Sequence, residues 1–195
     1  MSTRILERLR EETAPQHEQI EQNPYAKAAF DQTLTIDQYR SYLAKFYGFI
    51  KPAETKFMAE DAVNDMGLDM SMRMKSEHLE EDLMHLDMTQ DEINQLPLCS
   101  RLPELSTPAQ IWGYLYVMEG STLGGQVITK QLMKFLPVSP ESGIRYFHAY
   151  GQETKPRWTE FREALLSNGL NDSDEIIDSA KETFRLLDAW IRDSA

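Results

Sequence analysis

Residues 114–126 read YLYVMEGSTLGGQ, and the signals that flank this stretch decide the fold. Thr107 can cap a helix, Pro108 suits a first helical turn, and Gln110 stands where a capping box needs its second member. These signals predict one helix that runs from Thr107 to about Leu136, where a proline follows. The stretch therefore lies in the interior of a helix.

Four glycines lie inside this predicted helix, at Gly113, Gly120, Gly124 and Gly125. Each interior glycine costs roughly 1 kcal/mol relative to alanine, so the four cost about 4 kcal/mol of helix propensity. The segment must therefore need backbone without a Cβ atom. Close helix packing is one explanation, because Gly120 and Gly124 share a face. The other explanation is a flat ligand that lies directly against the helix backbone.

Helical periodicity continues in the rest of the chain. Apolar residues recur at helical spacing in 2–12, 16–22, 25–31, 70–86, 140–150, 153–167 and 173–193, and a further long helix begins after Thr35. No alternating strand pattern, internal repeat or dividing linker is present in the sequence. The pattern predicts an all-α fold in a single multi-helical domain that spans residues 1–195.

Prolines and loop residues divide these predicted helices. Pro15 either kinks the first helix or separates it from a second helix capped by Thr13. Pro52 is expected to kink the helix that begins after Thr35. Residues 61–69 and 96–108 are expected to form loops or irregular connections.

Composition limits the class of function. The chain has 195 residues, of which 41% are hydrophobic and 27% charged, and this is ordinary globular composition. A net charge of −12 disfavours nucleic acids and anionic membrane surfaces as partners. Cys99 is the only cysteine, so no internal disulfide is expected and a reducing compartment is favoured. Without a signal-peptide pattern or a long apolar run, we expect a soluble cytoplasmic protein.

His17 is the first candidate ligand. Together with Leu9 and Thr13, it lies on the side of its predicted helix that is expected to face inward. Glu21 follows one turn later, and a metal-bound imidazole usually donates its second N–H to a carboxylate or a carbonyl. A structural histidine that is satisfied in the core explains the same pattern, so both interpretations stay open at this point.

The other histidines give weaker signals. Asp82-x-x-His85 is similar to half of a carboxylate-bridged di-iron motif, but such bundles need Glu-x-x-His on two helices. No second copy precedes His17 or His148. The simplest interpretation of His78, His85 and the acidic residues around them is a solvated charged surface.

Three blocks of sequence resemble the heme oxygenase family, and the likeness is nearest to the bacterial branch found with bacteriophytochromes. Residues 9–18, LREETAPQHE, are similar to the proximal helix, with His17 at the position that ligates iron. Residues 116–125, YVMEGSTLGG, are similar to the glycine-rich distal helix. Residues 180–190, AKETFRLLDAW, resemble the end of the family's sequences. The blocks occur in the right order and cover nearly the whole chain.

The resemblance implies an enzyme for which heme is both substrate and cofactor. Heme would lie between the proximal and distal helices, with His17 as the axial ligand of its iron and Glu21 orienting the imidazole. The implied reaction uses O2 to open the ring at a meso carbon and yields biliverdin, CO and ferrous iron. Electrons would come from a separate ferredoxin or flavoprotein reductase. The alternative is a non-enzymatic heme-binding protein of the same fold.

The resemblance also implies which residues form the site. The expected heme contacts are Arg10, His17, Gly120, Gly124, Gly125 and Arg162. Gly120, Ser121 and Gly124 are expected to be the catalytic residues of the distal helix. Ser121 stands where many family members have an aspartate that organises distal water, so the group that orders this water differs here.

The groups around the heme propionates are implied less directly. Arg10 and Arg162 match basic positions of the family, whereas Trp158 stands where a second basic residue is usual. Tyr114 and Tyr116 both lie near the position of the family's distal tyrosine. The likeness does not choose between them.

Overall fold

The computed structural model describes residues 4–168 and 173–193, and within these ranges the chain forms nine α-helices and no β-strand. The helices are α1 (Arg4–Glu21), α2 (Pro24–Phe30), α3 (Ile36–Met58), α4 (Ser76–His85), α5 (Gln90–Asn94), α6 (Pro108–Leu132), α7 (Arg145–His148), α8 (Thr154–Asn168) and α9 (Ser173–Arg192). The predicted all-α fold is confirmed. Over the same ranges, no helix has the length and apolar character that crossing a bilayer requires.

Capping boxes start the two long central helices where the sequence predicts them. The Gln38 N–H donates to the Thr35 hydroxyl at the start of α3, and the Gln38 side chain accepts from the Thr35 N–H. The Gln110 N–H donates to the Thr107 hydroxyl at the start of α6, with the same return bond. Each box satisfies two N–H groups that a helix start would otherwise leave without partners.

The first helix is continuous, which rules out a second helix capped by Thr13, whereas a kink at Pro15 stays a prediction. The α1 helix runs through Pro15 without a break. Thr13 is an interior helical residue whose hydroxyl donates to the Leu9 carbonyl at 2.7 Å, so Thr13 is not a cap. The α3 helix likewise continues past Pro52 to Met58.

Two predicted helices are shorter than expected because buried carboxylates of other elements fix their starts. Helix α4 begins at Ser76 rather than at residue 70. At this start, Glu54 of α3 accepts the N–H groups of Lys75 and Ser76 at 2.6 and 3.2 Å. Of the predicted helix at 140–150, only α7 is helical. The α6 helix also ends at Leu132, four residues earlier than predicted.

The prediction of a fully solvated charged surface on α4 is wrong at Asp82, which is buried. Its carboxylate accepts the N–H groups of Arg145 and Tyr146, each at 2.8 Å, which caps α7. Burial raises the pKa of Asp82 to about 6, although these two hydrogen bonds act in the opposite direction. His85 is exposed as predicted, with Nδ1 close to the Glu81 carbonyl.

Helix α9 lies against both α1 and α6 and holds them in place. The α6–α9 contact is closest at Gly113, where a Cβ atom would lie 2.6 Å from the Ser179 Cβ and would clash with the Ile176 carbonyl. Close helix packing therefore explains the first of the four glycines. Helices α1 and α6 lie less closely against each other than each lies against α9. We call the space bordered by the half-exposed His17 of α1 and the open face of α6 at Gly120 and Gly124 the gap.

Ala149 follows α7 in a backbone conformation that favours glycine, with φ of 50° and ψ of −116°. Such a conformation costs an alanine of order 1–3 kcal/mol. We expect Ala149→Gly to raise the free energy of unfolding by about 1 kcal/mol and Tm by about 2–4 °C. Ala189→Gly, at an exposed position inside α9, is the control and should lower Tm. A decrease of Tm in both variants would contradict strain at Ala149.

Candidate active site

His17 lies on α1 beside the gap between α1 and α6. Its side chain is 52% exposed, which corrects the expectation that it faces inward with the buried Leu9 and Thr13. The imidazole ring meets the Phe184 ring of α9 edge to face, with centroids 5.6 Å apart and an angle of 78° between the planes. This contact limits the ring's rotation while its other side stays accessible to a ligand.

Glu21 lies one turn from His17, as the sequence predicts. Glu21 Oε1 is 3.5 Å from His17 Nδ1, slightly longer than an ordinary hydrogen bond. Because Nδ1 is the nitrogen turned toward Glu21, Nε2 is the nitrogen left for a ligand. The pair is therefore arranged as an imidazole ligand with its carboxylate acceptor.

The α6 helix presents an open apolar face at Gly120 and Gly124. A Cβ atom at Gly124 would meet no atom of the described chain within 4 Å, and one at Gly120 would only make ordinary contact with Trp158 at 3.6 Å. Leu123 and Val127, next to these glycines along the helix, are 37% and 56% exposed. Packing between protein elements therefore does not explain these two glycines. An open, apolar, glycine-lined helix is suited to a flat ligand.

Gly125 and Ser121 are in different surroundings from these two glycines. A Cβ atom at Gly125 would lie 2.5 Å from the Phe147 carbonyl oxygen, so contact with α7 alone explains this glycine. A heme contact at Gly125 stays a prediction. The Ser121 hydroxyl donates to the Met118 carbonyl of its own helix at 2.8 Å, and its oxygen remains available as an acceptor.

Tyr116 lies near two cations at one side of the gap, and the sequence did not single it out. Burial raises the pKa of its phenol, whereas a hydrogen bond with Thr13 and the positive charges of Arg10 and Arg162 act in the opposite direction. The phenol of α6 thus faces α1 with arginines of α1 and α8 nearby. A carboxylate placed there would meet a hydroxyl donor and two guanidinium groups.

Tyr114 is excluded from this site by its burial. It is fully buried in the core, with its ring 5.5 Å from the Phe57 ring. Two residues on a helix are about 200° apart, so Tyr114 and Tyr116 point in nearly opposite directions. Within this pair, only Tyr116 faces the gap.

Trp158 of α8 lies between Tyr116 and Gly120. Its ring is 5.8 Å from the Tyr116 ring and is stacked on Phe161 at 5.5 Å, with an angle of 15° between the planes. The far edge of the indole reaches Gly120. Trp158 is therefore an apolar side chain at the same side of the gap as Tyr116.

A buried charged cluster around Glu119 fixes the position of α6 next to Gly120. The carboxylate of Glu119 binds Arg73 and Lys75, with Lys75 Nζ at 3.0 Å, and accepts from the Tyr150 hydroxyl at 2.9 Å. Burial lowers the pKa of Lys75, and the negative charge of Glu119 opposes this shift. Burial and Glu119 both raise the pKa of Tyr150, so its phenol keeps its proton and donates.

Solved structures define the class of this fold. The heme oxygenase of Leptospira interrogans aligns with a TM-score of 0.77 at 20% identity, covering 98% of this chain and 99% of that chain. The NO- and CO-bound heme oxygenase of Neisseria meningitidis aligns with a TM-score of 0.78 at 20% identity, covering 96% of this chain and 90% of that chain. The chain therefore has the all-helical fold of the bacterial heme oxygenases.

The sequence places the chain within this class. The family model for heme oxygenase matches residues 3–193. A heme oxygenase of Xanthomonas campestris is 30% identical over 132 residues, which are 68% of this chain and 74% of that protein. The chain belongs to the heme oxygenase family, whose members are enzymes that degrade heme. The resemblance to this family is confirmed, and placement in the branch found with bacteriophytochromes stays a prediction.

Proposed function

We propose that this chain binds heme between α1 and α6 and cleaves it with O2 to biliverdin, CO and ferrous iron. The observation that carries the proposal is the half-exposed His17 on α1, combined with the open face of α6 at Gly120 and Gly124. Electrons would come from a separate ferredoxin or flavoprotein reductase. A cytoplasmic location also stays a prediction.

The residues on both sides of the gap fit a heme molecule. Nε2 of His17 would bind the iron, and Glu21 would accept the N–H of Nδ1 and so select the tautomer. Gly120 and Gly124 let the α6 backbone approach a planar ring, where side chains would prevent contact. Arg10, Tyr116 and Arg162 provide donors for the carboxylates that a heme molecule carries.

The protein's own contribution is orientation and exclusion. Bound heme supplies the iron and the ring carbon that is oxidised. The apolar residues Leu123, Val127 and Trp158 would cover bound heme against water, and the α6 backbone would limit the space over the ring. The Ser121 hydroxyl oxygen is free to accept a hydrogen bond from a water, at the position where many family members have an aspartate.

Addition of hemin followed by a reductant tests this function. Hemin should give the absorption spectrum of a histidine-ligated heme, and a ferredoxin–reductase system in air should convert that spectrum to that of a bilin. A stable heme spectrum that persists through reduction in air would instead support a non-enzymatic heme-binding protein. If hemin gives no ligated spectrum at all, the proposed function is wrong.

We expect Arg10→Gln and Arg162→Gln each to weaken hemin binding about tenfold, because hydrogen bonds to charged groups contribute roughly 1.5–3 kcal/mol. Both arginines are exposed, so stability of the heme-free protein should change little. Hemin dimethyl ester is the matched ligand, since esterification removes the carboxylate charges. If the variants weaken binding of the ester as strongly as binding of hemin, these arginines do not bind propionates.

A further inference from the structure

Arg73 connects α6 to α8 from a buried position between them. Its side chain is only 2% exposed. One terminal nitrogen, Nη1, donates to Glu119 of α6, and the other, Nη2, donates to Glu160 of α8 at 2.9 Å. A guanidinium group is rigid and planar, so the distance between its two nitrogens fixes the distance between the carboxylates it binds.

Both carboxylates are within two residues of side chains or backbone that border the gap. Glu119 directly precedes Gly120, and Glu160 is two residues after Trp158. Trp158 in turn is in contact range of a Cβ atom at Gly120, at 3.6 Å. The position of α8 relative to α6 therefore determines how closely the indole approaches the open face of α6.

We propose that Arg73 is a positioning residue that holds α8 against α6 through Glu160, and so sets the separation of Trp158 from Gly120. The same connection keeps Arg162 of α8 close to Tyr116 of α6. Arg73 acts through these residues and touches none of the groups assigned to the heme contact. The consequence for heme rests on the proposed function, whereas the connection between the helices does not.

Charge balance supports a positioning role for the contact with Glu160. Glu119 is bound by Lys75 and Tyr150 as well as by Arg73, so its charge does not depend on α8. Glu160 is 45% exposed, and an ion pair with such a group contributes little to stability. The contact between Arg73 Nη2 and Glu160 therefore contributes little to global stability. Its proposed effect is on the position of α8.

The variant Glu160→Gln tests the connection without leaving a buried carboxylate unpaired. Because Arg157 Nη1 also donates to Glu160 Oε2, at 3.1 Å, Arg157→Gln is needed to separate the two partners. Glu182→Gln is the matched control, since Glu182 is 43% exposed and paired with Arg185 on α9, away from α8.

We expect Glu160→Gln to change Tm of the heme-free protein by less than about 3 °C. Amide hydrogen exchange of the heme-free protein, followed by mass spectrometry, should be about two- to fivefold faster in α8 and unchanged in α9. Hemin binding should weaken by about the same factor, because Arg162 and Trp158 lose their fixed positions. Both control variants should leave exchange in α8 and hemin affinity as in the wild-type protein.

Arg73→Lys provides a second test that keeps the buried charge but cannot bind two carboxylates with separate nitrogens. It should reproduce the faster exchange in α8, and adding Glu160→Gln to it should produce no further increase. The proposal is overturned if exchange in α8 is unchanged in Glu160→Gln, or if Arg157→Gln has the same effect. Failure of the wild-type protein to bind hemin would overturn the proposed function, while exchange in the heme-free protein would still report on the connection.

Discussion

The variant His17→Ala is expected to lose bilin formation by more than about a hundredfold, since even the groups that hydrogen-bond to metal ligands contribute about 10- to 100-fold. The physical reason is that removal of the imidazole takes away the nitrogen that we propose binds the heme iron. The fold should be spared, because the side chain is half exposed and its ring contact in α9 is with Phe184. Stability should fall by only about 1 kcal/mol or less.

Added imidazole provides the decisive measurement for His17. The spectrum of the histidine-ligated heme should disappear in His17→Ala and return when imidazole fills the space left by the side chain. His85→Ala is the matched control, because His85 is also an exposed helical histidine but lies on α4. The assignment of the axial ligand is wrong if substitution of His78, His85 or His148 removes the spectrum while His17→Ala retains it.

The sequence predicted those parts of the fold that are determined by neighbouring residues. The starts of α3 and α6 were predictable because Thr35 and Thr107 cap helices with partners only three residues away. The same signal at Thr89 and Glu92 would have identified α5, which the periodicity analysis missed because that helix has only five residues. Local signals therefore carried more information than apolar spacing in short helices.

Contacts between distant residues were not predictable in this way. The starts of α4 and α7 depend on Glu54 and Asp82, which are 21 and 63 residues from the first N–H group that each carboxylate binds. A sequence pattern does not show which carboxylate will be buried beside which helix. The predicted helices at 70–86 and 140–150 were therefore too long.

The candidate site shows the same division. Spacing identified His17 with Glu21, because both lie on one helix. The choice between Tyr114 and Tyr116 needed the structure, because α6 is apolar on nearly every side and its sequence does not identify the side that faces the gap. Explaining the four glycines of α6 also required the structure, since the role of each depends on whether α7, α8, α9 or open space lies opposite it.

The second large effect is expected at the open glycines of α6. Gly124→Val should reduce bilin formed per bound heme about tenfold or more, because a branched side chain would enter the space that we propose for the ring and O2. The heme-free protein should keep its stability, since a Cβ atom at Gly124 meets nothing within 4 Å of it in the described chain and valine is the better helix former. Gly120→Ala should act in the same direction, with Trp158 in ordinary contact.

Gly113 and Gly125 provide matched controls on the same helix. Gly125→Val would bring a side chain within 2.5 Å of the Phe147 carbonyl, and Gly113→Val would press against α9. Both should therefore destabilise the heme-free protein, by about 1–3 kcal/mol or more, as overpacked cores do. If Gly125 contacts only α7, Gly125→Val molecules that remain folded should also turn over each bound heme at nearly the normal rate.

Comparing Tm of the heme-free protein with bilin yield per bound heme separates the two explanations of the glycines. Substitution of a glycine that faces the ligand should lower the bilin yield per bound heme without changing Tm. Part of the O2 that this variant consumes should then appear as hydrogen peroxide, because O2 no longer reaches the ring carbon in the right orientation. Substitution of a glycine that packs against another helix should lower Tm and leave the bilin yield per bound heme unchanged. If Gly124→Val lowers Tm as much as Gly125→Val and its yield per heme is unchanged, the open face of α6 does not contact heme. The glycines at 120 and 124 would then need an explanation within the heme-free fold, which the open space around Gly124 does not offer.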